Sequence, residues 1–241
     1  MPRQWGRMGV LVVGVLTTTA GSGLAAGMTT PQAVAKNIAT QDAASARLEL
    51  DGKVVYFDPF FDEKAPAPAA DLILITHGHD RHCSPGTVAR ILKADTVIVA
   101  PASCAQALAD VAKRSITTPM PGKTISAVGV TVESVPAYTP DNPDHARDTG
   151  GVGYVLTIDG VRVYHSGSTA LVPELKTVRA DVALLAFWEG YILSTQDAAS
   201  LARSLGVKVV IPIHCKPEEA VKLRDMLQPA IQVDVRTLPQ A

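Results

Sequence analysis

The sequence predicts an α/β protein, a four-layer αββα sandwich of two similar halves. Three observations lead there: a strand pattern occurs twice, the central strands are apolar throughout, and helical patterns alternate with them. Arg47–Phe57 holds two β-rich runs around Asp51-Gly52, a dipeptide that tolerates the positive φ angles of a tight hairpin turn. Tyr154–His165 repeats the arrangement around Asp159-Gly160. Ala70–Ile75 then matches Ala180–Leu185, and Thr96–Pro101 matches Lys208–Pro212, aligned on proline. The offsets are 108 (Asp51 to Asp159), 110 (Asp71 to Asp181) and 111 (Pro101 to Pro212). A nearly constant offset over three segments is the mark of internal duplication. Leu72–Thr76 and Val182–Ala186 read as strands covered on both faces. Gly86–Lys93, Ser103–Lys113, Thr195–Leu205 and Pro217–Leu227 read as helices, with Ser194 or Thr195 as a cap and Pro217 in a first turn. Ala65–Ala69 and Tyr138–Gly151 read as loops. A single open, doubly wound sheet is the alternative architecture.

The chain has 241 residues, with 22 basic and 23 acidic side chains, a net charge of -1 and 47% hydrophobic residues. That balance suits a globular chain and excludes the basic face that nucleic-acid binding requires. Residues 1–27 read as a secretory leader. Arg3 and Arg7 precede an apolar core, Met8–Leu16, and Gly23-Leu24-Ala25 places small residues where a signal peptidase cuts. The expectation is a signal peptide over residues 1–25 and one domain over 28–241. The mature protein is then periplasmic or secreted, with no stable membrane insertion after cleavage. The apolar core is too short to span a bilayer. In an oxidising compartment Cys83, Cys104 and Cys215 allow one disulfide and one free thiol, and the sequence does not choose the pair. Cys83 and Cys215 each follow a histidine, so each is either a metal neighbour or a small buried residue.

The six histidines are His77, His79, His82, His145, His165 and His214. The strand Leu72–Thr76 runs straight into His77-Gly78-His79-Asp80-Arg81-His82. Ligand-type residues at the carboxyl end of a strand stand at the mouth of an α/β core. Neutral imidazole is a good ligand for zinc and other transition ions, and three clustered imidazoles are costly to bury without partners. A metal site is therefore preferred to a surface histidine cluster.

These motifs resemble the metallo-β-lactamase-fold hydrolases, and within them the ascorbate-6-phosphate-lactonase-like branch. Thr76-His-Gly-His-Asp-Arg-His82 resembles T-H-x-H-x-D-H, Tyr164-His-Ser-Gly-Ser-Thr169 resembles Y-H-x-G-D-T, and Ile211-Pro-Ile-His214 resembles I-P-x-H. Val135–Tyr138, His145 with Gly150–Gly153, and Asp58-Pro59 resemble further family segments. The likeness covers the chain from about Asn37 onward. It implies that His77, His79 and His145 hold a first metal and that His82 and His214 belong to a second.

The sequence departs from the family at two carboxylates, with Arg81 and Ser168 in their places. Asp80 lies one residue early and is either an additional ligand or the cap of a neighbouring amide. Removing two carboxylates weakens a second cation site, while the three-histidine site lacks nothing and suits zinc with an open position. One Zn2+ is therefore expected, a second only weakly, with other transition metals as alternatives. The resemblance implies an exported hydrolase using metal-bound hydroxide on an ester, lactone, amide or phosphoester of a small molecule. Arg81 is a candidate for binding an anionic substrate or supplying the lost positive charge. His165 is a candidate for lining the catalytic site, against an ordinary hydrogen-bonded histidine. Trp188, Glu189 and Tyr191 either shape a substrate pocket or pack a loop. Ser166 and Ser168 lack the strained elbow of a serine nucleophile. The rival reading is a degenerate, non-catalytic binding protein on the same fold.

Overall fold

The computed structural model describes residues 29–112 and 116–236, so the leader expected at 1–25 lies outside the described residues. The first sheet takes its strands in chain order: β1 (Ile38–Thr40), β2 (Ala46–Leu50), β3 (Lys53–Phe57), β4 (Leu72–Leu74) and β5 (Val97–Val99). The second holds β6 (Thr124–Ala127), β7 (Val130–Pro136), β8 (Val152–Ile158), β9 (Val161–His165), β10 (Val182–Ala186), β11 (Val209–Ile213) and β12 (Gln232–Val233), again in order. The duplication is visible in the pairing. β2 and β3 form an antiparallel hairpin, after which β4 and β5 add in parallel. β8 and β9 form the matching hairpin, after which β10 and β11 add in parallel. Both hairpins turn on residue pairs with positive φ, Asp51 (51°) with Gly52 (70°) and Asp159 (49°) with Gly160 (78°). Those angles match the type of turn whose twist suits two-residue hairpin loops.

Side-chain alternation builds the four layers. Val55, Phe57, Leu72 and Leu74 face Tyr154, Leu156, Val163 and Leu184 in a core between the sheets. Their neighbours Tyr56, Ile73, Ile75 and Ile98 point the other way, to the helix α2 (Pro85–Ile91) and the pair α3 (Ala102–Ala107) and α4 (Ala109–Ala112). On the far side Val155, Tyr164, Ala183, Leu185 and Val210 pack under α5 (Thr195–Leu205) and α6 (Pro217–Leu227). This is the sandwich the sequence predicts. The helix α1 (Pro31–Lys36) packs Val34 and Ala35 into the central core.

Local chemistry sets the helix ends. Ser84 caps α2 by accepting from Thr87 N, and Ser194, not Thr195, caps α5 by accepting from Asp197 N at 3.0 Å. The Glu219 carboxylate accepts from Lys216 N at 3.1 Å at the start of α6. The helix expected over Ser103–Lys113 divides at buried Leu108, and its last residue lies outside the described residues. Cys83 pairs with Cys104, which settles the open cysteine choice and removes Cys83 as a metal neighbour. Cys215 is free, half-buried, and its thiol is pushed up to about 12 by burial. No described helix is long and apolar enough to cross a membrane.

Candidate metal centre

The site begins where β4 ends. Thr76 O accepts from Val152 N at 2.9 Å, and Tyr154 OH donates to Ile75 O at 2.7 Å, so the second sheet fastens the strand end from which the histidine loop departs. Gly78 lets that loop press on α3, because a Cβ there would stand 2.7 Å from Ser103 Oγ. His82 N and Cys83 N both donate to His79 O at 2.8 Å, which curls the loop. Cys83 is then tied to α3 by its disulfide.

His145 arrives from the other half. Asn142 Oδ1 accepts from Asp144 N at 3.0 Å and shapes a short 3-10 turn over Pro143–His145. The His145 ring lies 5.2 Å from His77 and 4.8 Å from His79, centroid to centroid. His77 Nε2 and His79 Nδ1 stand 3.1 Å apart. Two nitrogens about 2.0 Å from a tetrahedral zinc stand about 3.3 Å apart, so the spacing fits one shared ion. Among the described residues two groups bring ligand atoms within 4.8 Å of one another: His77 with His79 and His145, and Asp58 with His77 and His82.

Asp58 organises the floor. It is fully buried and accepts from Thr76 N at 2.7 Å, Thr76 Oγ1 at 2.6 Å and His82 Nδ1 at 2.7 Å. The Thr76 hydroxyl hydrogen is thus committed to Asp58, and its oxygen accepts from His77 Nδ1 at 2.9 Å. Those bonds place the protons of His77 and His82 on Nδ1 and leave each Nε2 as an acceptor, that of His77 turned toward His79. Fixing a ligand's tautomer through its far nitrogen is what carboxylates do beside metal sites. Sequence reading noted Asp58-Pro59 but gave Asp58 no role. The signal available was a carboxylate at a buried strand end.

Electrostatics favour neutral imidazoles. Burial, reinforced by neighbouring histidines, holds His77 and His82 well below the ordinary range. Burial brings His145 down to about 4 and lowers His214. Neutral imidazole is the form that binds metal. Burial also pushes the Asp58 carboxyl up to about 6, against the pull of His165 and the Thr76 hydrogen bonds.

His214 stacks on His82 with centroids 5.5 Å apart. Its backbone sits at φ 49°, and its buried Nδ1 has no hydrogen-bond partner. An orphaned imidazole nitrogen beside a second imidazole is chemistry a cation satisfies. Arg81, Ser168, His82 and His214 line a cleft of about 170 Å³. Arg81 stands at its mouth, 2.6 Å from Asp42, with its guanidinium over the Phe60 ring. Asp80 is exposed at the lip and belongs to neither ligand group. Trp188 and Tyr191 are exposed and place ring edges against His214 and His145.

His165 corrects its expected catalytic role. It is fully buried, stacked on Phe57, donates from Nε2 to Ala44 O at 2.9 Å and accepts at Nδ1 from Gly167 N at 3.3 Å. Neither nitrogen is left for a substrate. Ser166 is likewise committed, donating to Gly167 O and accepting from Ala186 N, both at 2.9 Å.

Residues 37–214 match the family model described as the beta-lactamase superfamily domain. A UPF0173 metal-dependent hydrolase of Methanoregula boonei is 33% identical over 178 residues, covering 70% of this chain and 78% of that protein. The crystal structure of a candidate metal-dependent hydrolase from Parabacteroides distasonis is similar with a TM-score of 0.75 and 32% identity, over 84% of this chain and 93% of that one. A candidate Zn-dependent hydrolase of the metallo-beta-lactamase superfamily from Thermotoga maritima shares the fold, with a TM-score of 0.51 and 22% identity over 74% of this chain and 75% of that one.

Proposed function

The chain belongs to the beta-lactamase superfamily of metal-dependent hydrolases, and from that premise we propose an exported enzyme whose principal metal, zinc, is held by His77, His79 and His145. The observation that carries this reading is the convergence of those three imidazoles from both halves of the fold, with His77 fixed in its ligating tautomer by Thr76 and Asp58. His77, His79 and His145 would hold a divalent ion, which would supply Lewis acidity toward the scissile group and activate a water.

The chain's own residues do the rest. Asp58 holds His82 and, through Thr76, His77 in fixed orientation. Asn142 ties the His145 turn to the aromatic rim by donating to Tyr191 O at 3.2 Å. Tyr191 lines the cleft beside His145, and Trp188 packs against His214. Arg81, at the mouth, presents its guanidinium to an anionic or strongly polar substrate oxygen. The substrate class is a small ester, lactone, amide or phosphoester. The cleft accepts the reacting group. Export is supported by the leader pattern of residues 1–25 and by the Cys83–Cys104 disulfide, a bond favoured in oxidising compartments.

The test is zinc content by atomic emission together with turnover of a panel of nitrophenyl esters, lactones and phosphoesters. About one tightly held zinc per chain is expected after dialysis, a second binding only weakly in excess zinc, with activity lost on chelation and regained on adding zinc. No bound metal after zinc loading, with no turnover, rejects the reading in favour of a binding protein on a hydrolase fold.

A further inference from the structure

Four consecutive residues of one turn, Asp42 to Ser45, reach Arg81, His214, His165 and Phe60. Asp42 Oδ1 accepts from Ala43 N at 2.7 Å and from Arg81 Nη2 at 2.6 Å. Ala43, held at φ 50°, offers its carbonyl to His214 N at 3.1 Å. Ala44 offers its carbonyl to His165 Nε2, and Ser45 Oγ accepts from Phe60 N at 3.1 Å. Phe60 in turn lies under the Arg81 guanidinium at 5.6 Å. The turn belongs to the first half, while His214 closes β11 of the second.

We infer that Asp42 is a positioning residue of the metal centre: its carboxylate holds and neutralises the Arg81 guanidinium at the cleft mouth, so that His82 and His214 remain able to take a second cation. This inference rests on the metal-hydrolase reading above and extends it to a residue outside the ligand set.

The cleft that contains His82 and His214 is lined by Arg81 and Ser168, at the two positions where the family resemblance puts carboxylates. A guanidinium there opposes a cation unless a carboxylate offsets it. Asp42 supplies that carboxylate from a distant segment, 39 residues away in sequence. The pair contributes little to folding, because its side chains are 45% and 27% exposed and solvent screens such pairs. Its consequence lies in where it parks the positive charge. The same oxygen fastens Ala43 N, so the carbonyl that fixes His214 is set by the residue that restrains Arg81.

Zinc titration against a chromogenic chelator, on the wild-type chain and on Asp42→Asn, tests this. The amide of Asp42→Asn keeps an acceptor for Ala43 N–H but loses the charge. The weaker of two zinc dissociation constants is expected to rise about tenfold, a usual size for an outer partner of a metal site, while the tighter one is unchanged. In Asp42→Asn with Arg81→Leu the weaker constant is expected to return to within about twofold of wild type, or below it. A turn-bracing role alone does not give that rescue. An unchanged constant in Asp42→Asn, a loss that persists without Arg81, or a wild type that takes only one zinc overturns the inference and leaves the one-zinc hydrolase standing. A wild type that takes no zinc overturns both.

Discussion

The Asp58 carboxylate and the His82 imidazole meet at 2.7 Å beneath the ligand loop, with neither side chain more than 4% exposed. Asp58→Asn replaces an acceptor of three hydrogen bonds with a group that turns a donor toward other donors. A buried polar group left unsatisfied costs about 1–3 kcal/mol, and loss of an orienting carboxylate costs about 10–100-fold in metal affinity. The urea midpoint of Asp58→Asn is expected to fall and its zinc dissociation constant to rise together. Stability and zinc affinity that both match wild type remove Asp58 from the centre.

His79 and His165 should separate function from folding. His79 is exposed and its ring lies against those of His77 and His145, so His79→Ala is expected to leave metal-free stability within about 0.5 kcal/mol. Catalytic efficiency should nevertheless fall by at least about 100-fold, because one ligand is gone. His165→Ala opens a void against Phe57 and strands the Ala44 carbonyl, which is expected to cost about 2–4 kcal/mol. The folded fraction should still bind zinc at the three-histidine site. Chemical denaturation and zinc titration on both variants check the contrast, and reversed outcomes would return His165 to the chemistry.

The metal-free protein should lose stability in mild acid. His145 is held near 4 when folded and takes up a proton near 6.5 when unfolded, so its contribution is complete above 6.5 and is lost as pH falls toward 4. His77, His82, His165 and His214 are shifted in the same direction by burial. Asp58 acts oppositely, since its raised value makes its contribution largest at low pH and lost as pH climbs through 6. Five imidazoles outweigh one carboxylate. A tenfold difference in proton affinity between folded and unfolded states is worth about 1.4 kcal/mol, or about 3 °C in a chain of this size. The Tm of chelator-treated protein is expected to drop by at least that much from pH 6.5 to 4.5. A flat profile over that window contradicts the burial of the cluster.

Periodicity and local chemistry made the architecture legible. Two Asp-Gly hairpins and uninterrupted apolar strands encode the paired halves, and Thr195–Leu205 and Pro217–Leu227 appear in the structure with the bounds the sequence predicts. The histidine constellation was visible because ligand residues gather after a buried strand. Asp58, Asp42 and the Cys83–Cys104 pair were not legible in the same way. Each acts through a partner 18 or more residues distant, Thr76 and His82 for Asp58, Arg81 for Asp42 and Cys104 for Cys83. A single sequence shows residue types and local spacing, whereas these contacts exist only once the chain has closed. His165 reads from sequence either as a residue lining the site or as an ordinary hydrogen-bonded histidine, and the backbone partners that decide for the second, Ala44 and Gly167, come from the fold.

The disulfide should matter to metal as well as to folding. It closes a loop with a sequence separation of 21 and joins the residue after His82 to α3. A cross-link of that span contributes about 3 kcal/mol through the unfolded chain. Cys83→Ser with Cys104→Ser is expected to lower Tm by several degrees and to weaken zinc binding at the loop, read by chelator competition at a temperature where both proteins are folded. If zinc affinity is unchanged while Tm falls, the bond stabilises the fold without bracing the ligands.

Restoring acid groups should strengthen the second cation site. Ser168 is 5% exposed and lines the cleft with His82 and His214. A unit charge about 5 Å from another is worth about 3 kcal/mol at an effective dielectric near 20, and a divalent ion doubles this. Solvent reduces that figure without changing its sign. Ser168→Asp buries an unpaired carboxylate in the metal-free protein and should lower its Tm, while zinc recovers the loss by binding the folded state alone. Arg81→Asp removes the opposing charge but leaves Asp42 facing a second carboxylate, so it is the less clean of the two single variants. The double variant Arg81→Asp with Ser168→Asp is therefore expected to hold more zinc per chain than wild type at the same free zinc. Atomic emission after dialysis against buffered zinc gives the stoichiometry. A value that stays fixed in the double variant means that positions 81 and 168 do not face the second ion.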